Sequence, residues 1–274
     1  MDTDSVAETY RFATWNIDQA RQEEAFEATR FDVRWPCIKA QIKAYDPDLL
    51  CLQELRNLET SAITVPRLLY EMAELGYDYK HAYYGPDQIA FCQAIFFKRD
   101  KFFPTAMDLL LLPLADEGKP NMSYMVLSLR LRSLSSGKHL TVCTTHFGVE
   151  EEGKYPSACA LAEYFDLHPI MQGASLCAGD FNFFDDRGGG TQRAVLLAGL
   201  DDLAHPLANA SGSFMGYPRD HFRQPYEKMS RLDHIFARGG VKRVGEASAF
   251  GDMEQVRART YPSDHLMIVI EIAL

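Results

Sequence analysis

Leu176-Cys177-Ala178-Gly179-Asp180-Phe181-Asn182 is an apolar run of strand length that ends on a carboxylate and an amide. The pattern recurs along the chain. Phe12 to Ile17 carries Asn16 and leads to Asp18, Leu49 to Leu52 leads into Gln53-Glu54, and His139 to Thr145 leads into His146. Short, nearly continuous apolar runs fit strands covered on both faces. A scaffold presents its chemistry where such strands surface, and strand ends that face the same way gather residues distant in sequence into one pocket.

Outward from these four runs, further strand-length segments fall at Ile89 to Phe97, Met122 to Leu131, Leu232 to Ala237, Val241 to Ala247 and Leu266 to Ile272. Met125 to Arg132 alternates apolar and polar, which predicts a strand with one wetter face. Helical spacing appears in Trp35, Ile38, Ile42 and Tyr45, stopped by Asp46-Pro47. Pro156 reads as a first-turn proline ahead of Ala158, Leu161, Ala162 and Phe165, and Thr191 as the cap of a short helix ending at Gly199. Strands outnumber helices, and hairpins mix with single helical crossovers. The expected class is therefore α/β, two packed mixed sheets with helices outside. One domain is expected over residues 1–274, with residues 1–9 as a flexible N-terminus.

The bulk numbers agree with a packed enzyme-sized domain. The chain has 274 residues, of which 47% are hydrophobic and 12% aromatic, so a large core is available. A net charge of −10 argues against a nonspecific nucleic-acid coat, which needs a broad basic face. It is compatible with carboxylates clustered around a divalent metal that itself receives phosphate. The N-terminal Met1-Asp2-Thr3-Asp4 has no signal-peptide character, and Leu109 to Leu112 is too short to span a bilayer. Six cysteines show neither a CxxC pair nor a disulfide-framework spacing, so buried thiols in a reducing cytoplasm are expected, with no membrane insertion.

Glu54, Asp264, Asp18 and Asp180 offer the hard oxygen ligands that Mg²⁺ prefers, and clustered Cys/His ligands of a structural zinc site are lacking. Asn residues can orient a water or a phosphoryl oxygen without adding charge. His146 and His265 supply groups that donate to phosphate or move a proton near neutral pH. His234 follows Asp233 and points to the opposite face of its strand, which marks it as structural. His81, His139, His168 and His205 read as surface or loop residues.

The ordered set TWNID, LQE, TTH, GDFN, LDH and SDH resembles the endonuclease/exonuclease/phosphatase superfamily, the deoxyribonuclease I-like fold, from Phe12 to the end of the chain. The resemblance implies a four-layer α/β sandwich with a Mg²⁺ site, which Mn²⁺ can share, that hydrolyses phosphate esters by water attack. It implies Glu54 as principal metal ligand, Asn16 near metal and phosphate, and Asp264 completing the metal shell. Asp180 would orient or deprotonate the attacking water, and Asn182 would hydrogen-bond the nucleophile or phosphate. His146 would contact a phosphate oxygen. Asp233 would fix the tautomer of His265, which stabilises developing charge or takes part in proton transfer. Asp18 matches an acidic position found in part of the family and is assigned to substrate.

Specificity rests with the loops. Phe214 to Arg223 interleaves aromatics with Arg219 and Arg223, a composition suited to stacking bases and binding phosphates, or equally to an ordinary solvated loop. Glu150-Glu151-Glu152, read as a loop, would repel a long polyanion. TWN, QE, GDxN and SDH are also similar to the motifs of 5′-tyrosyl-DNA phosphodiesterases, and CQAIFFKRDKF to a strand of deadenylase-type relatives. The expected substrate is a phosphodiester at a nucleic-acid end or a nucleotide ester. The alternatives are a phosphomonoesterase for an inositol-type or other small phosphate, and an inactive binding module on the same scaffold. No protein partner is indicated.

Overall fold

Burial on both faces is what continuous apolar runs predict, and the first strand, β1 (Thr9–Asn16), is solvent-inaccessible from Phe12 to Asn16. A computed structural model of the chain describes residues 8–18, 31–56, 64–84, 91–113, 124–184, 189–215, 229–250 and 262–274. One six-stranded sheet runs in spatial order β11 (Lys242–Phe250), β12 (Met267–Ala273), β1, β2 (Leu49–Leu55), β4 (Phe91–Lys98) and β3 (Tyr77–Tyr84). The other runs β5 (Phe102–Leu111), β6 (Met125–Ser133), β7 (His139–His146), β8 (Ser175–Asp180), β10 (Asp233–Arg238) and β9 (Asp201–Asp202).

Among the described strands, β1–β2 and β7–β8 pair in parallel and the remaining neighbours are antiparallel, so both sheets are mixed. A parallel pair requires a crossover. Helix α1 (Phe31–Tyr45) lies between β1 and β2 in the chain, and α3 (Glu151–Leu167) between β7 and β8. Helix α1 and α2 (Val65–Glu74) pack outside the first sheet: Tyr45 donates to the Ile270 carbonyl of β12 and α2 packs on β3. On the second sheet, Tyr164 of α3 donates to Asp108 of β5 and Ser128 of β6, and α4 (Gly189–Leu197) packs beside α3. The result is a four-layer α/β sandwich.

Between the sheets the apolar core includes Phe12, Ile95, Val142 and Ala178, while Trp15 and Leu50 alternate with the cross-sheet residues Thr14 and Cys51 and face the helix side of the first sheet. Polar bolts cross it near one end. Gln53 Nε2 donates to Thr144 Oγ1 of the facing sheet at 2.8 Å and to Thr14 Oγ1 at 3.1 Å, and Gln93 Nε2 donates to the Met125 carbonyl at 3.0 Å. The Gln53 amide, its oxygen also met by Thr14, costs little to bury and fixes the register of the two layers, whereas Gln93 Oε1 is buried without a hydrogen-bond partner among the described residues.

Several local expectations are corrected. Pro156 is the sixth residue of α3, not its first turn, just as Pro36 sits inside α1. Each proline removes one intrahelical bond, and the buried stripe Ala158, Leu161, Tyr164 and Phe165 carries α3 past it. Thr191 lies within α4, which begins at Gly189. Glu151 and Glu152 form the first turn of α3, where acidic side chains complement the helix dipole, and Glu151 binds Lys154 at 2.6 Å. The flexible stretch expected over residues 1–9 fails at its last two residues. Thr9 pairs with Ala273, and the Glu8 carboxylate accepts from Ser133, Ser135 and Ser136. Strands β3 and β5 and helix α2 were not anticipated. Among the described residues, no helix is long and apolar enough to cross a membrane, and Cys51, Cys92, Cys143 and Cys177 are buried free thiols.

Glu71 joins α1 to α2 by accepting from Trp35 Nε1 at 2.8 Å, Lys39 Nζ at 2.7 Å and Arg67 Nε at 3.0 Å. Burial alone would raise its pKa, but these donors outweigh it and lower the value from 4.5 to about 2. The stabilisation is therefore complete above about pH 4.5 and is lost as pH falls toward 2. Glu71→Gln should cost about 2 kcal/mol at pH 7. In urea unfolding at pH 7 and pH 3.5 the gap to wild type should shrink at the lower pH, and an unchanged gap contradicts this account.

Candidate active site

The register brings the polar strand ends to one edge of the sandwich. In the second sheet His146 is aligned with Asp180, and Asp180 with Asp233 on its other side. In the first sheet Asn16 is aligned with Gln53, one residue before Glu54. Strands β10 and β12 run antiparallel to their neighbours, so residues at or before their starts, Asp233 and Asp264-His265, arrive at the edge where β1, β2, β7 and β8 end.

At this edge the backbone leaves ordinary strand geometry. Glu54 (φ 58°), Asp18 (φ 45°) and Asn182 (φ 52°) lie in the left-handed region, which Asp and Asn tolerate better than Glu. Around Glu54 the β2–β4 register shifts between Leu52 and Leu55. Such a bulge re-aims a side chain at the cost of local strain. Gly179 has φ 149°, and a Cβ there would stand 2.0 Å from the Thr145 carbonyl oxygen. Only glycine lets β8 approach β7 so closely immediately before Asp180.

The side chains converge across the two sheets. Asn16 Nδ2 donates to Glu54 Oε1 at 2.8 Å and to Asp180 Oδ2 at 3.0 Å. His146 Nε2 lies 3.8 Å from Glu54 Oε1 and 3.6 Å from Asp180 Oδ2, and His265 Nε2 lies 3.5 Å from Asp180 Oδ2. The other oxygen of Asp180 accepts from the Asn182 amide at 2.9 Å, while Asn182 Nδ2 donates to the Phe147 carbonyl at 2.8 Å. Behind His265, Asp233 Oδ2 sits 2.8 Å from Nδ1. Burial of His265 would lower its pKa, but the charges of Asp233 and Asp180, the Asp233 hydrogen bond and Asp264 raise it well above the usual imidazole range. His234 turns away, as expected, and is buried against Asp202 at 2.9 Å and stacked on Phe236.

Glu54, His146 and Asp180 form the one group, among the described residues, whose ligand atoms all lie within 4.8 Å of one another. Two carboxylate oxygens sharing a single neutral amide leave negative charge uncompensated, and hard oxygen donors of this kind fit a divalent cation. Asp264 is buried beside His265 and lies outside that group. Asp18 is buried, its N–H bound by Asn16 Oδ1 at 3.1 Å. Arg219 and Arg223 lie outside the described residues.

Some supporting residues had gone unassigned in the sequence. Ser213 Oγ accepts from the backbone N–H groups of Leu232 and Asp233 at 3.1 and 2.9 Å, fixing the start of β10. Tyr124 sets its ring edge-on to His146 at 5.9 Å, and burial with the nearby Glu150, Glu54 and Asp180 pushes its phenol well above the usual range. Neither has a spacing signature, because each acts from a loop or strand start through tertiary contact.

The sequence matches the Endonuclease/Exonuclease/phosphatase family over residues 13–265. It is 26% identical over 296 residues to Nocturnin of Xenopus laevis, covering 97% of this chain and 72% of that protein. Among solved structures it is similar to D. rerio TDP2 complexed with a single-strand DNA product, at TM-score 0.73 and 17% identity, covering 97% of this chain and 99% of that one. It is also similar to a mannosyl-6-phosphatase of Bacteroides thetaiotaomicron VPI-5482, at TM-score 0.72 and 19% identity, covering 96% and 99%.

Because Gly179 sets both the β7–β8 approach and the position of Asp180, Gly179→Ala should destabilise the chain by about 3 kcal/mol or more. Urea unfolding measures this, and a loss below about 0.5 kcal/mol would contradict the assigned role.

Proposed function

Since the chain belongs to the endonuclease/exonuclease/phosphatase family and is a hydrolase of phosphate esters, we propose that it is a Mg²⁺-dependent phosphodiesterase acting at a nucleic-acid end or on a nucleotide ester. The observation that carries this reading is the convergence of Glu54 Oε1 and Asp180 Oδ2 on the one amide of Asn16, with two imidazoles within 3.8 Å. Glu54, with Asn16 and Asp264, would hold the cation, and Mn²⁺ could replace Mg²⁺. When bound, the ion supplies charge neutralisation at a phosphoryl oxygen.

The protein groups divide the remaining work. Asp180, one oxygen tied to the Asn182 amide, presents the other to orient and deprotonate an attacking water. Asn182 fixes that carboxylate, because its own side chain is anchored on Phe147. His265, with Nδ1 bound to Asp233, directs Nε2 into the site as a donor to the charge that develops on the phosphoryl oxygens. His146 donates to a second phosphate oxygen from the opposite side. Asp18, Arg219 and Arg223 are assigned to substrate.

The acidic first turn of α3, Glu151 and Glu152, follows closely on His146 and disfavours a wrapped duplex, which favours a short or end-bound diester. A second reading is a phosphomonoesterase for a small phosphate, in line with the structurally similar mannosyl-6-phosphatase of Bacteroides thetaiotaomicron. An inactive binding module has no use for the retained Glu54, Asp180 and His265. No protein partner is proposed, and a cytoplasmic location remains part of the proposal.

Hydrolysis of bis-p-nitrophenyl phosphate, thymidine 5′-p-nitrophenyl phosphate and p-nitrophenyl phosphate, alongside single-stranded DNA, RNA and a 5′-tyrosyl oligonucleotide, separates these readings. The diesters should be preferred, EDTA should abolish turnover, and Asp180→Asn or His265→Ala should each lower kcat by about 10³-fold. Preference for p-nitrophenyl phosphate would select the monoesterase. EDTA-resistant hydrolysis would sink the cation-dependent reading.

A further inference from the structure

Arg34 stands in α1, outside the first sheet, yet it is only 8% exposed and its guanidinium reaches the back of the site. Nη1 donates to the Ile17 carbonyl at 3.0 Å and to the Pro262 carbonyl at 2.6 Å, and Nη2 donates to the Asp18 carbonyl. These carbonyls belong to two different loops. One follows Asn16 at the end of β1, and the other runs through Pro262, Ser263, Asp264 and His265 into β12.

A second tie joins the same loops. Ser263 Oγ donates to the Asn16 carbonyl at 2.7 Å and accepts from the His265 amide at 3.2 Å, while Trp15 Nε1 donates to the His265 carbonyl at 2.9 Å. The loop carrying Asn16, which holds Glu54 and Asp180, is thus bound to the loop carrying His265, which holds Asp233. We infer that Arg34 and Ser263 are positioning residues for the hydrolysis, a clamp that sets the spacing between the Asn16–Glu54 side of the site and His265.

The chemistry of the arginine suits this task. A planar fork with several fixed N–H directions can satisfy three carbonyls of two chain segments at once, whereas a lysine ammonium is a compact point donor on a shorter reach. The turn into β12 is held on one side by the Met215 N–H on the Asp264 carbonyl at 2.9 Å and the Leu266 N–H on the Ser213 carbonyl at 2.8 Å, and the Arg34 and Ser263 bonds set its position toward positive-φ Asp18 on the other. A misplacement of about 1 Å between reacting groups can cost about 100-fold in rate. Arg34 is buried and spends these N–H groups on backbone carbonyls, so its removal should appear mainly in kcat, with KM moving only as far as Asp18 moves.

This inference rests on the proposed phosphodiesterase reading, and the test keeps the two separate. Arg34→Lys, Ser263→Ala and wild type are compared for kcat and KM on bis-p-nitrophenyl phosphate with Mg²⁺, well below each melting temperature. The imidazole N–H signal of His265 bound to Asp233 is followed by NMR in parallel. Arg34→Lys should lower kcat about 100-fold and Ser263→Ala about 10-fold, with KM within about threefold. The His265 signal should shift or broaden in both. A lowered melting temperature with wild-type kcat and an unmoved His265 signal would reduce Arg34 to a stabilising residue and overturn the clamp. If Arg34→Lys does not fold, Ser263→Ala decides by the same readouts. If wild type cleaves no ester, the phosphodiesterase reading fails, and the His265 signal alone decides whether the two loops are clamped: movement supports the clamp and no movement refutes it.

Discussion

Two carboxylates from opposite sheets, Glu54 at the end of β2 and Asp180 at the end of β8, meet on one amide, Asn16 Nδ2. Like charges brought together at a half-buried site repel, and the repulsion acts to open the seam between the sheets. What holds the seam closed lies just behind it. The Gln53–Thr144 hydrogen bond crosses the layers one residue from Glu54, and the apolar core of Phe12, Ile95 and Val142 continues from there. Neutral Asn16 contributes a hydrogen bond to each carboxylate, and His265 lies against Asp180. Three ligand atoms of Glu54, His146 and Asp180 within 4.8 Å of one another suit a divalent cation.

The same constraint accounts for the backbone at this edge. A strand that simply ended would point Glu54 along its pleat, whereas the bulge and positive φ turn the side chain toward the facing sheet. Asn182 and Asp18 adopt similar conformations two residues past the ends of their own strands. Strain of this kind persists only where surrounding contacts over-determine it. Those contacts are the Asp180–Asn182 turn, the Ser213 cap on β10, the Arg34 fork and the Ser263 hydroxyl. Fold and site are in this sense one problem: the sandwich is closed where its chemistry is most repulsive.

Much of this was legible in the residues. Strands β1, β2, β7 and β8 are buried on both faces, so their sequences are continuously apolar and their polar ends stand out. Strand β3, Tyr77–Tyr84, escaped notice because it is a sheet edge on which Tyr79, Lys80, His81 and Tyr83 are partly exposed. Strand β5 is likewise an edge, with Phe103, Met107, Leu109 and Leu111 exposed, so its greasiness did not read as a buried run. Pro156 misled because a proline is cheapest in a first turn, a local preference that packing of α3 overrides. Arg34 left a faint trace: it shares the four-residue spacing of buried Ile38 and Ile42, so a charge stands in the apolar stripe. Ser213 and Tyr124 left none, since their partners are far away in sequence.

The central claim is that the Glu54–Asp180 convergence exists to hold a divalent cation. Titration of the metal-free chain with Mn²⁺, followed by the loss of the free-ion electron paramagnetic resonance signal, tests it most directly. Wild type should bind Mn²⁺ in competition with Mg²⁺, and Glu54→Gln, which removes one charge and keeps the shape, should weaken binding at least about tenfold. Equal Mn²⁺ binding by wild type and Glu54→Gln, or none by wild type, would contradict the account.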